Sequence, residues 1–208
     1  MKNVLRIVGL ASIAFAAAQV GATNLIQNGS FQTGDFTGWT ISTTSNGTWG
    51  QGFPEVTGWP AGDGKAAVGS VGEVNFTGLE EGGTLTQTFQ SSGGNALIHM
   101  DFAARGAGNY DLEGGEFTMI LNGVQIAQYD IGFIGNGELV VGSFTEGEVL
   151  LNGSNTLEIE VTRRFVNVNS DQFVTGIDVE GNVPEPGSWI QMGSGLLGLA
   201  GVLRRKLF

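Results

Sequence analysis

The chain has 208 residues, a formal net charge of −11, 36 glycines, one histidine and no cysteine. The lack of cysteine excludes disulfide bonds and thiol chemistry, and a single histidine excludes histidine-rich metal sites. The acidic balance argues against a basic patch for nucleic acid or anionic lipid.

The first 22 residues have the pattern of a secretory signal peptide. Lys2 and Arg6 supply the charged start, and residues 7–18 form a short, alanine-rich apolar stretch. We predict cleavage after Ala22, where small residues precede the cut, with the alanines at 16–18 as a second possibility. A permanent transmembrane helix is the alternative, and the short apolar core makes it the weaker one.

Residues 23–182 are the size of one domain, about 160 residues. They carry four cations and nineteen carboxylates, a net charge of −15 (4 minus 19). Short segments that alternate apolar and polar residues are separated by glycine, which is typical of half-buried strands. The clearest segments are Thr84–Phe89, Ala96–Phe102, Glu116–Leu121 and Thr156–Val161.

Two Asn-Gly pairs predict tight connections between strands. Asn122-Gly123 has the residues of a type I′ hairpin, because both positions accept a positive φ. Asn152-Gly153 is expected to turn between residues 148–151 and 156–161. The pattern predicts an all-β fold, an antiparallel β-sandwich of the jelly-roll type, built from about eight to ten short strands.

The start of the domain carries a recognisable motif. It reads Asn24-Leu25, then Asn28-Gly29-Ser30-Phe31-Gln32, then a segment 34–39 that ends in Gly38-Trp39. This order resembles the opening of jelly rolls of the carbohydrate-binding-module type, and residues 83–89, 121–123 and 173–179 resemble later parts of the same family. The resemblance implies a glycan-binding jelly roll, with Trp39 in its core.

Many modules of that family hold a structural calcium ion, with a Glu after the opening Phe and an Asp pair in the last strand. In this chain Gln32 takes the first position, and Thr175 and Gly176 take the other two. Calcium prefers about six to eight oxygen ligands, several of them charged. We therefore expect the inherited site to be lost and no cofactor to be bound, although Asp178 could act as a ligand in a shifted register.

Aromatic residues in glycine-rich segments are the predicted sugar-binding residues. Trp49, Phe53 and Trp59 lie in residues 46–65, and Tyr110 lies in a second such segment. Loops on a rigid scaffold commonly carry binding function, and the C–H faces of sugars stack on aromatic rings. Burial of the first three rings over a sheet face is the open alternative.

Catalysis has little support in the sequence. A glycosidase needs two carboxylates about 5–10 Å apart, and among nineteen carboxylates such pairs arise by chance. His99 lies in the middle of a predicted strand, on the face opposite Ile98. We interpret it as a histidine that the strand tolerates and not as a general base. Asp111, Glu113 and Glu116 are interpreted as a solvated acidic loop, with a calcium site as the alternative. We predict that the protein is not an enzyme.

The last 26 residues combine Val183-Pro184-Glu185-Pro186, an uncharged apolar run at 190–203, and Arg204-Arg205-Lys206. This order closely resembles the PEP-CTERM sorting signal of Gram-negative bacteria. The resemblance implies that an exosortase, an integral-membrane enzyme, recognises the tail and removes it near Pro-Glu-Pro. Residues 189–203 would span only about 22 Å as a helix, against roughly 30 Å of hydrocarbon. The pattern favours a transient transmembrane helix over a permanent anchor, which is the alternative.

Together these features predict three segments: a signal helix at 1–22, the β-sandwich at 23–182, and a sorting signal with a short transmembrane helix at 183–208. The expected partners are exosortase, extracellular polysaccharide and, transiently, the inner membrane, with the mature protein in the envelope, on the surface or outside the cell. The leading hypothesis is a non-catalytic glycan-binding module. The alternatives are a structural surface or biofilm matrix protein without a ligand pocket and an envelope hydrolase.

Overall fold

A computed structural model describes residues 23–43, 55–69, 81–106, 112–163 and 170–181. These residues form strands and turns without a helix, and none of them belongs to a helix that could cross a membrane. The predicted signal helix and C-terminal transmembrane helix lie outside the described residues. The strands are Thr23–Asn24 (β1), Thr40–Thr43 (β2), Glu55–Gly58 (β3), Ala66–Gly69 (β4), Glu81–Gly106 (β5), Leu112–Glu113 (β6), Glu116–Leu121 (β7), Val124–Asp130 (β8), Phe133–Ile134 (β9), Leu139–Arg163 (β10) and Ser170–Gly181 (β11).

Two long strands, β5 and β10, pair antiparallel along almost their whole length, from Leu139 opposite Arg105 to Arg163 opposite Glu81. Glycines with positive φ lie near the middle of both strands: Gly93 and Gly94 in β5, and Gly153 in β10. Glycine adopts such angles at little cost, and it marks the places where strands bend.

The turn predicted at Asn152-Gly153 is therefore wrong as a hairpin. Residues 148–151 and 156–161 do not pair with each other, because both belong to β10 and pair with β5. The glycine bends one continuous strand, so that its two halves enter different layers. An Asn-Gly pair fits a bend as well as a hairpin, since both require a residue that accepts positive φ.

The halves of β5 and β10 divide the sheet into two layers. The β11 layer comprises β3, β4, β11, residues 95–106 of β5 and residues 139–150 of β10. The β7 layer comprises β2, residues 81–90 of β5, residues 154–163 of β10, β7 and β8. All pairings within both layers are antiparallel.

The core lies between the two layers. Phe102 of the β11 layer stacks on Phe117 of the β7 layer, with ring centroids 4.8 Å apart. Both rings belong to one cluster of buried side chains that draws on both halves of β5, including Leu85 and Ile98. Burial of both inner faces against each other is the arrangement of a β-sandwich.

The chain passes from one layer to the other at nearly every connection, including the bends inside β5 and β10. Such winding between two antiparallel sheets is that of a jelly roll. The predicted all-β antiparallel sandwich is confirmed. The hairpin at Asn122-Gly123 is also confirmed, with φ values of 52° and 80° between β7 and β8.

The opening motif packs against the end of the domain. Trp39 is buried, as predicted, and its ring lies 5.9 Å from that of the fully buried Phe31. The Asn24 side-chain oxygen accepts a hydrogen bond from the backbone N–H of Val179, 3.1 Å away. The motif therefore joins the first residues of the domain to its last strand, β11.

Candidate functional site

The predicted aromatic residues have different outcomes. Trp49, Phe53 and Tyr110 lie outside the described residues, and their role in sugar binding stays a prediction. Trp59 is only 6% exposed, so an exposed platform at this position is wrong. The ring turns back over the β11 layer because the backbone N–H of Trp59 bonds to the Lys65 carbonyl across the loop between β3 and β4.

The outer face of the β11 layer brings together polar side chains from distant parts of the sequence. Register places a β5 residue at the centre of each row, flanked by one residue of β10 and one of β11. We call this surface the β11 face. Its five rows are Leu97 with Gly147 and Glu180, His99 with Thr145 and Asp178, Asp101 with Ser143 and Thr175, Ala103 with Val141 and Phe173, and Arg105 with Leu139 and Asp171.

A chain of polar contacts crosses this face. The His99 ring contacts the Thr145 hydroxyl through Nδ1 at 3.0 Å and one Asp101 carboxylate oxygen through Nε2 at 3.2 Å. The Lys65 ammonium lies 3.3 Å from the other Asp101 oxygen and 3.3 Å from Asp63. These contacts raise the pKa of Lys65, chiefly through the hydrogen bond to Asp101, so the lysine stays positively charged.

The side chains of this chain of contacts are held in place but are not covered. His99 keeps 31% of its side-chain surface accessible, and Asp101 keeps 23%. The strand β5 fixes both residues two positions apart on the same face. Lys65 comes from the loop before β4, where Asp63 accepts a hydrogen bond from its backbone N–H. A ligand lying on the face can therefore reach donors and acceptors whose positions are already set.

A bulge in β11 shapes the edge of this surface. Between Thr175 and Asp178 the strand holds one residue more than β5 does, and Gly176 within it has a φ of 60°. A β-carbon on Gly176 would lie 3.0 Å from a carboxylate oxygen of Asp101. Only glycine fits here without strain, because the backbone is left-handed and the carboxylate is close.

The surroundings of Asp178 on the β11 face alter its acidity. Partial burial raises its pKa, and the charges of Glu180 and Asp101 act in the same direction, whereas His99 lowers it. In its neutral form a carboxyl both donates and accepts hydrogen bonds, as a sugar hydroxyl does.

An apolar group adjoins the polar contacts. Trp59 packs with Ala67, Ala103 and Phe173 on the outer side of the sheet, separate from the main core. The Arg105 guanidinium lies 5.6 Å from the centre of the Phe173 ring and forms an ion pair of 2.7 Å with Asp171. The cluster fixes the loop that carries Lys65, rather than offering a ring to a ligand.

A shallow depression of about 490 Å³ lies at the end of the β11 face that is farther from Arg105. It adjoins the row of His99, because Leu97 and Glu180 form the next row of side chains. Its lining residues are Asn95, Ala96, Leu97, Gly147, Glu148, Val149 and Glu180. An amide, two carboxylates and apolar surface in one hollow match the mixed polarity of a sugar ring.

Metal binding finds no geometric support within the described ranges. There, no three His, Asp or Glu side chains are placed to hold an ion. Gln32 is exposed, and the Thr175 hydroxyl donates to the carbonyl of Ala66. The expected lack of a cofactor and the calcium alternatives stay predictions, and Asp111 lies outside the described residues.

Most of the β11 face leaves no signal in a local stretch of the sequence. Alternation in Ala96–Phe102 already put His99 and Asp101 on the side opposite Ile98, and extending it would have added Arg105. Lys65 and Thr145 could not be found in this way, since only the strand pairing brings them to β5. Phe133, which is 68% exposed in a glycine-rich segment, is a further aromatic residue that was not among the predicted ones.

No family model matches the chain, and no curated protein matches it. Solved structures that resemble it include a CBM61 carbohydrate-binding module in complex with β-1,4-galactotriose, with 14% identity, 76% of this chain and 97% of that chain covered, and a TM-score of 0.46. Another is the CBM22-1 xylan-binding domain of Xyn10C from Paenibacillus barcinonensis, with 13% identity, 76% and 94% coverage, and a TM-score of 0.42.

Proposed function

We propose that this domain is a non-catalytic module that binds polysaccharide on the β11 face. The proposal rests on the chain of polar contacts described above, which leads from Thr145 through His99 and Asp101 to Lys65. These side chains combine donors and acceptors, are fixed by one another, and remain partly open to solvent. Sugar hydroxyls both donate and accept, so they match such a chain of contacts.

The charge of the face favours a neutral glycan. Lys65 and His99 are accompanied by the carboxylates Asp101, Asp178 and Glu180, within a domain that has nineteen carboxylates and four cations. An anionic polymer would be repelled, and salt would reduce that repulsion by screening. Binding to a neutral polysaccharide should instead be insensitive to salt.

Stacking residues would complete the site. Residues 44–54, which contain Trp49 and Phe53, continue directly into β3 at the edge of the β11 layer. Trp49 and Phe53 lie outside the described residues, and they stay the predicted stacking residues. We assign them the role that Trp59, as a buried residue, does not fill.

Replacing His99 with alanine tests whether the chain of polar contacts binds the glycan. We expect affinity for the preferred neutral polysaccharide to fall about tenfold, since contacts to a hydroxyl contribute roughly 1 kcal/mol each and Asp101 loses its orientation. Affinity gel electrophoresis with a panel that includes β-1,4-galactan and xylan, followed by calorimetry, measures the change. The melting temperature should hardly move, because the ring is partly exposed.

Gln90→Ala is the matched control, an exposed polar residue of the same strand β5 in the other layer. Its affinity should equal that of the unmodified protein. If folded His99→Ala also bound with unchanged affinity, the β11 face would not be the binding surface. If the protein bound only anionic polymers, the neutral specificity would be wrong.

Export and sorting are a second part of the proposal, supported by the residues at both ends of the chain. The signal-peptide pattern at 1–22 and the sequence Val183-Pro184-Glu185-Pro186 with Arg204-Arg205 direct the domain across the inner membrane and to an exosortase. The processed protein would then lie in the envelope or in extracellular polysaccharide, where a glycan-binding face has its ligand.

Mass spectrometry of the intact protein from its native host tests this processing. We expect the mature form to lack residues 1–22 and most of 188–208, because both segments are signals and the tail is short for a permanent span. In a host that lacks the exosortase gene, the exported protein should keep the mass of its tail. A mature protein that keeps its tail in the unmodified host would show a plain membrane anchor instead.

A further inference from the structure

Among the described residues, the first half of β10 pairs with another strand on one side only. Residues 139–150 pair with β5 on one side, and β7 joins the other side only from Leu157 onward. Across the part of the chain that the structure describes, no strand occupies the remaining edge of residues 139–150. In an antiparallel strand every second residue turns its N–H and C=O to that side, where they can pair with another strand.

The side chains along this edge are unusually apolar for an exposed strand. Leu139 is 38% exposed, Val141 50%, Val149 68% and Leu151 57%. Residues 139, 141, 143, 145, 147, 149 and 151 read Leu, Val, Ser, Thr, Gly, Val and Leu. The order of apolar and small polar residues is symmetric about Thr145.

We propose that two copies of the chain pair antiparallel through this edge, with the two-fold axis at Thr145. This register sets Val141 opposite Val149 of the second copy on both sides of the axis. Apolar pairs directly across two strands stabilise a sheet. A two-fold axis uses the same patch on both copies, so the symmetry of the sequence matches the symmetry of the interface.

Avoidance of like charges is consistent with this register and disfavours the shifts to residues 146 and 147. Centred on Thr145, Glu146 faces Phe144 and Glu148 faces Gly142, so no carboxylate lies directly opposite another. A shift of the axis to residue 146 sets Glu146 against itself, and a shift to residue 147 sets Glu146 against Glu148. Like charges directly opposite each other destabilise a strand pair. A different peptide partner would not need this internal symmetry, which points to a second copy as the occupant.

Pairing would join two β11 layers into one continuous sheet. The exposed residues of the edge lie on the same side as His99 and Asp101, since Val141 and Thr145 belong to the rows of the β11 face. The two proposed glycan-binding surfaces would then lie side by side. The interface itself does not depend on glycan binding, because it rests on the edge of β10 that no described strand occupies, the apolar pattern and the register of charges.

The absence of cysteine from the chain makes the test specific. Thr145→Cys places a thiol opposite its own copy, where the two α-carbons lie about 4.5–5.5 Å apart, within the range that a disulfide spans. Ser143→Cys is the matched control, because residue 143 faces residue 147 and the two thiols are about 13 Å apart along the strand. The full chain of each variant is oxidised and analysed by non-reducing electrophoresis.

We expect a disulfide-linked dimer for Thr145→Cys and at least tenfold less for Ser143→Cys. Analytical ultracentrifugation of cysteine-free protein should give a dimer, and Val149→Lys should weaken its association at least tenfold, because a charge replaces the apolar partner of Val141. Equal cross-linking of both cysteine variants, or a dimer that Val149→Lys leaves intact, would refute this edge. A monomer at all measurable concentrations, or pairing with another protein only, would also refute it.

Discussion

Replacement of Phe117 by alanine is expected to lower the free energy of unfolding by about 3–5 kcal/mol, the cost of removing a large aromatic side chain from a packed core. Phe117 is fully buried in β7, and its ring stacks on Phe102 of the opposite layer. Phe102 also contacts Tyr129 and Phe144, at centroid distances of 5.5 and 4.8 Å. Loss of one ring would therefore leave a cavity where the two layers meet.

Urea unfolding followed by tryptophan fluorescence measures this effect. Val124→Ala is the control, because Val124 lies on the adjacent strand β8 and is 64% exposed. Its free energy of unfolding should change by no more than about 0.5 kcal/mol. A loss below about 1 kcal/mol for Phe117→Ala would mean that the layers do not share the core described above.

Trp59→Ala is expected to destabilise the domain by about 3 kcal/mol, near the lower end for a buried tryptophan. The ring is 6% exposed and fills the cluster with Ala103 and Phe173 on the outer side of the β11 layer. Its removal should also loosen the loop that presents Lys65. Thermal unfolding followed by circular dichroism gives the stability, and affinity gels give the binding of the fraction that remains folded.

Trp49→Ala provides the comparison for this variant. If Trp49 stacks on sugar, Trp49→Ala should lower the affinity for polysaccharide with little change in melting temperature. Trp59→Ala should instead lower the stability of the domain first. The opposite result for Trp59, with lower affinity at an unchanged melting temperature, would restore it as a sugar platform and contradict its burial.

Most of the fold prediction came from the alternation of apolar and polar residues and from the residues typical of tight turns. The predicted strands at 84–89, 96–102, 116–121 and 156–161 lie inside β5, β7 and β10, and the hairpin at Asn122-Gly123 is present. These signals are local, since they depend on neighbouring residues along one strand. The number and length of strands were not predictable in the same way. A glycine that bends a strand and a glycine that ends one look alike in sequence.

The candidate site depended on information that no local pattern contains. Thr145 contacts His99 because β10 and β5 pair in one register, and Lys65 reaches Asp101 from the loop before β4. The bulge at Gly176 brings Asp178 into the row of His99. Trp59 shows that a local pattern can predict a loop without predicting whether its side chain is buried. Its glycine-rich surroundings predicted a loop, and the loop is present, but only the packing against Phe173 decides that the ring is buried.

The pairing of β1 with β11 has a mechanical consequence. Thr23 lies opposite Gly181 and Asn24 opposite Glu180, so the domain begins and ends at the same place on the sheet. A pull on the chain beyond Gly181 runs along β11, which β5 holds by a ladder of backbone hydrogen bonds on one side. These bonds lie perpendicular to the strand, so such a pull loads them together in shear instead of opening them one after another. A load applied along β11 at this end would therefore be resisted by the whole ladder, and the terminus would not unzip first.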